Sequence, residues 1–140
     1  MDPKLIFLPV FLQVLLTFAV ALWMARLRMR EMNEKRIPAQ DIRTRAKAAA
    51  RLEDSQPASD NYMNQFEMPV LFYVLAIIVY LTASVSWAML VLLCLYVAAR
   101  VVHAAIQLGR NNVRQRFAAF LVSNLFLAVG WIYLAVRIFA

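Results

Sequence analysis

Residues 87–108 read WAMLVLLCLYVAARVVHAAIQL. The run is long enough to cross a hydrocarbon core of ~30 Å, which takes ~20 helical residues. Its first part carries no charge. Its second part carries Arg100, His103 and Gln107, spaced by three and four, so they trace one face of a helix. An ionisable side chain at the bilayer centre costs roughly 2.5–3.5 kcal/mol on insertion scales, so such a stripe should face protein or a polar cavity rather than lipid. The stretch predicts a membrane-crossing helix with a working face.

Three further apolar runs flank it, over about residues 5–26, 62–81 and 117–139. The first exceeds the ~7–15 residues of a signal-peptide core and is followed by Arg26, Arg28 and Arg30, a stop-transfer flank, so it is read as a retained helix. Hydrophobic residues make up 64% of the 140, against roughly 45–50% in soluble domains, and the bilayer is the solvent that accommodates them. The fold class is therefore all-α: a four-transmembrane-helix antiparallel bundle in one domain spanning 1–140, with a polar loop over 31–60. Within that loop, Ala39 to Leu52 is rich in Ala, Arg and Lys and predicts a short surface helix.

The formal net charge is +7. Its placement argues for topology rather than nucleic-acid binding: the basic residues gather in the 31–60 loop and its flanks and in the 109–116 loop, while the opposite side holds Lys4 and Arg137. By the positive-inside rule the loops are cytoplasmic and both termini lie outside. Cys94 is the single cysteine and reads as an apolar filler. The lone His103 has no neighbouring Cys or second His, so no metal site is expected.

A second polar cluster opens the 62–81 helix. Asn64 and Glu67 lie three apart on one face, followed by Pro69, which lacks a backbone N–H. A structural account makes Glu67 a carboxylate favoured by the helix dipole, or pairs it with Arg100 to hold the bundle together. A functional account gathers both clusters, with Arg26 and Arg28 from the first helix and Arg114 and Arg116 ahead of the fourth, at one depth on the cytoplasmic side. That set suits a small ligand with carboxylates, because arginine forks match carboxylate geometry, while an apolar co-substrate enters from lipid.

The stretch Asn64-Gln65-Phe66-Glu67-Met68-Pro69, together with Arg100-Val101-Val102-His103 and Asn112-Val113-Arg114-Gln115-Arg116-Phe117, resembles the MAPEG family, membrane-associated proteins in eicosanoid and glutathione metabolism. The likeness spans all four helices and is strongest to its short bacterial members. It implies a homotrimer in the bacterial inner membrane, with membrane lipid around it, and a glutathione site between subunits near the cytoplasmic face. By this resemblance Glu67 would take the glutathione amino group and Asn64 a main-chain or carboxylate group. Arg100 and a basic residue ending the first helix, Arg26 or Arg28, would add contacts, and His103 and Gln107 stand near the places of family tyrosines. Arg114 or Arg116 would stabilise the thiolate. A free thiol, of pKa ~8.5, is mostly protonated at neutral pH, and a fixed guanidinium favours its nucleophilic form. Two departures stand out: Asp60 occupies a family arginine position and Met68 a tyrosine position. The resemblance thus implies either a glutathione-dependent transferase or peroxidase acting on lipophilic substrates, or a non-catalytic lipid- or ligand-binding scaffold of the same fold. A transporter ranks last, since Arg100 is the only charge deep in a helix.

Overall fold

The computed structural model describes residues 2–140. Six α-helices follow in order: α1 Leu8–Glu34, α2 Arg45–Arg51, α3 Gln56–Asn64, α4 Met68–Leu81, α5 Trp87–Leu108 and α6 Val113–Phe139. A 3₁₀ turn, Pro3–Phe7, precedes α1, and another, Ala39–Ile42, precedes α2. Four segments are long and apolar enough to span a bilayer: Pro3–Glu34, Gln56–Leu81, Trp87–Leu108 and Val113–Phe139. The chain is an integral, multi-pass membrane protein with a helical bundle fold.

The expected helix over 62–81 is two helices. Pro69 has no N–H to offer the carbonyl of Gln65, and the backbone at Glu67 leaves helical geometry at φ −97°, ψ −102°. The break at Gln65–Glu67 ends α3 and starts α4. The charged stretch is also more ordered than a loop. Helix α1 continues past residue 26 to Glu34, α2 occupies part of the expected surface helix, and α3 begins at Gln56. Likewise α6 begins at Val113 rather than near 117, because the Asn112 side chain accepts from Gln115 N at 3.1 Å and caps it. At the other end of the hairpin, Ser86 caps α5 by accepting from Met89 N at 3.2 Å.

Helices α5 and α6 form a tight antiparallel pair. The turn between them places Asn111 at φ 47°, a left-handed conformation that asparagine tolerates better than most residues. The apolar core lies between α4, α5 and α6: Phe72, Leu75, Val79, Leu93, Tyr96 and Leu127 are buried. Phe72 and Tyr96 stack with centroids 4.8 Å apart. At Gly130 a Cβ would come within 2.9 Å of Leu75 Cδ2, so α6 approaches α4 where a glycine permits it. Lipid is as apolar as these side chains, so close packing and interhelical hydrogen bonds, rather than escape from water, hold the helices together. Helix α1 packs on α3 and α5, and an apolar groove of about 550 Å³ runs between its N-terminal half and α4.

Candidate functional site

Helix α3 carries the site, and charges of opposite sign hold its two ends. At its N-terminal end, Glu31 from α1 is 3% exposed. Its Oε1 accepts from Asp54 N at 3.0 Å, and its Oε2 accepts from Ser55 N at 2.9 Å and Ser55 Oγ at 2.7 Å. A carboxylate here satisfies amides that open the helix and suits the positive end of its dipole. Lys35 completes the cluster, donating to Glu31 at 2.6 Å and pairing with Asp54 at 3.0 Å. Those hydrogen bonds, to Glu31 first and then to Asp54, raise the pKa of the exposed Lys35 ammonium.

At the C-terminal end of α3, Arg100 is wholly buried and its Nη2 donates to the main-chain carbonyl of Asn64 at 2.8 Å. The helix break has removed the helical partner of that carbonyl. Inside a membrane each backbone oxygen needs a donor from the protein, and a guanidinium also suits the negative end of a helix. The expected Arg100–Glu67 pair does not form: among the described residues no ion pair joins them, and Glu67 is exposed.

Between these ends runs a chain of buried amides. Gln13 Nε2 of α1 donates to Gln65 Oε1 at 2.9 Å; Gln65 Nε2 donates to Asn61 Oδ1 at 3.1 Å; Asn61 Nδ2 donates to Gln107 Oε1 at 2.9 Å. Asn64 Nδ2 also reaches Gln107 Oε1, at 3.4 Å. Three separate helices are thus tied by a network of buried amides, in which Gln13 Oε1 alone keeps no partner. His103, 4% exposed, directs Nδ1 at the carbonyl oxygen of Arg116, 2.9 Å away. Arg116 in turn donates from Nη1 to Asn111 Oδ1 at 2.8 Å.

These groups converge on a cavity of about 300 Å³ between α3, α5 and α6, whose walls include Asp60, Asn64, His103, Gln107, Arg116 and Phe117. It lies at the charged end of the bundle, beside the α5–α6 turn. Of the residues singled out in the sequence, Asn64, His103, Gln107 and Arg116 meet here. Arg100 reaches the same network through the Asn64 carbonyl. Glu67, Arg26 and Arg114 are exposed and line no part of this cavity. Arg28 turns to α3, donating from Nη2 to Ser59 Oγ at 3.2 Å.

The profile of the MAPEG family matches residues 6–136, nearly the whole chain. The chain belongs to the MAPEG family. No individual curated protein and no solved structure matches it significantly. The MAPEG assignment agrees with the four spanning segments, and of the residues that carry the resemblance Asn64, His103, Val113, Arg116 and Phe117 line the cavity. Sequence reasoning overlooked Asn61, Gln65, Gln13 and Glu31. Asn61 had a signal, standing three residues before Asn64 on the same face, and Gln13 had another, as an amide in an apolar run. Glu31 lay in what reads as a loop and had none.

Proposed function

We propose that this MAPEG protein binds glutathione in the cavity between α3, α5 and α6 and acts as a glutathione-dependent transferase or peroxidase on lipophilic substrates. The supporting observation is the convergence of Asn64, His103, Gln107 and Arg116 on one cavity. Amides and an imidazole can hydrogen-bond the main chain of a tripeptide, and a guanidinium favours its thiolate over its thiol. The surrounding lipid would supply an apolar electrophile. In this reading the charged end is cytoplasmic, both termini lie outside, and the host membrane is a bacterial inner membrane. A homotrimer would bring a neighbour's α1, with Arg26, across the cavity mouth, and would give exposed Glu67 a partner.

A second reading, a binding scaffold without chemistry, is favoured by Asp60, whose carboxylate lines the same cavity and repels the carboxylates of glutathione. Titrating the detergent-purified protein with glutathione separates the two. Saturable binding with the ultraviolet absorbance of a thiolate supports the enzyme. Absence of binding at millimolar glutathione, in a particle whose mass by light scattering is that of a trimer, leaves the scaffold.

A further inference from the structure

The link between α1 and α3 gathers charge away from the cavity described above. Arg43, Lys47 and Arg51 line one concavity of about 360 Å³, together with Gln40, Asp41 and Ala50. All three cations are exposed. Asp41 is already engaged by one of them, its Oδ2 lying 2.8 Å from Arg51 Nη1. Among the described residues no carboxylate pairs with Arg43 or Lys47. The walls therefore keep an excess of positive charge.

The fold holds these cations together. Thr44 caps α2, its Oγ1 accepting from Lys47 N at 3.3 Å. Ala48 and Leu52, four apart, are buried and seat the helix. Lys47 and Arg51, also four apart, share another face of α2. The Arg51–Asp41 pair ties the last turn of α2 back to the 3₁₀ turn before it. Like charges fixed side by side repel, and an anion among them relieves the repulsion.

The concavity also stands close to the membrane surface. The apolar run of α1 ends at Met24. Glu31 follows about 10 Å further along the helix axis and accepts from Ser55 N, just after α2 ends. A basic segment within about one Debye length, ~10 Å, of a bilayer is drawn to anionic headgroups.

We propose that Arg43, Lys47 and Arg51 form a binding site for the phosphate group of an anionic phospholipid. Guanidinium forks match phosphate oxygens two at a time, and Lys47 adds a point charge. The acyl chains stay in the surrounding bilayer, so the protein needs to hold only the headgroup. The site is separate from the cavity assigned to glutathione. Arg45 is exposed on the same helix but lies outside the concavity, which lets a defined site be told from a diffuse basic surface.

The full chain, purified in detergent and stripped of lipid, is offered phosphatidylglycerol or phosphatidylcholine of the same acyl chains, and bound lipid is counted by native mass spectrometry. Phosphatidylglycerol should be retained over phosphatidylcholine, and less so as salt is raised. Arg43→Gln combined with Lys47→Gln should weaken the tightest phosphatidylglycerol roughly fivefold for each charge removed. Arg45→Gln should leave it nearly unchanged. Equal retention of the two lipids overturns the proposal. So does an equal loss in Arg45→Gln, which would make the attraction diffuse. Inorganic phosphate that binds by calorimetry as tightly as the lipid would mark a site for a soluble phosphate and overturn the lipid assignment.

Discussion

Arg100 holds the carbonyl of Asn64 at 2.8 Å from a wholly buried position on α5. Its partner is therefore a helix end rather than a carboxylate. The break before Pro69 creates an unpaired backbone oxygen in the bundle, and the guanidinium occupies it. This contact also sets the height of Asn64 and, through Gln107, the position of the cavity wall.

Removing that donor should cost stability. Arg100→Ala leaves the Asn64 carbonyl buried and unpaired, a penalty of about 1–3 kcal/mol, and opens a void besides. Thermal unfolding in detergent should show a clear fall in Tm, and hydrogen exchange should quicken first at the α3–α4 junction. Unchanged exchange at Gln65–Glu67 would contradict this role.

Glu31 offers the matching test at the other end of α3. Glu31→Gln keeps the shape but loses the charge, and one of the carboxylate's acceptor oxygens becomes a donor facing Ser55 or Asp54. The expected cost is about 1–3 kcal/mol, read as faster tryptic cleavage at Lys35, Arg36 and Arg51. Lys35 adds a pH dependence of known sign. Its pKa is raised in the folded state, so its contribution is complete below its ordinary value, about 10.4, and is lost only as pH rises through the higher folded one. From about pH 6 to about pH 9, below that ordinary value, the cleavage rate relative to an unfolded control substrate should therefore not change on account of Lys35.

The two candidate arginines before α6 should behave differently. Arg116 lines the cavity and Arg114 is exposed. Arg116→Leu should abolish the thiolate absorbance of bound glutathione, and Arg114→Leu should leave it intact. The reverse result would assign the role to Arg114.

Asp60 lines the cavity and would face the carboxylates of glutathione bound there. Asp60→Asn removes a like-charge contact worth about 1 kcal/mol in a solvated setting, so glutathione affinity measured by calorimetry should rise about fivefold.

Much of the site was legible in the residues because helical spacing is a local property. Arg100, His103 and Gln107 stand three and four apart and do share a buried face. The departures were equally physical. The positions of Asn64 and Glu67 suggest one shared face, but Pro69 interrupts the helix between them and leaves Glu67 outside. The amide chain from Gln13 to Gln107 crosses three helices, and no local spacing encodes it.

Length and hydropathy, read along the chain alone, determined that there are four segments able to cross a membrane and that charge collects at one end. Those are properties of single segments against a single solvent. Which side chains meet was decided by tertiary structure: Glu31 against Ser55, Arg100 against a backbone oxygen, the His103 ring against the Arg116 carbonyl. Each of these depends on how far α1, α5 and α6 stand from α3, and that distance follows from the packing of the whole bundle rather than from any one helix.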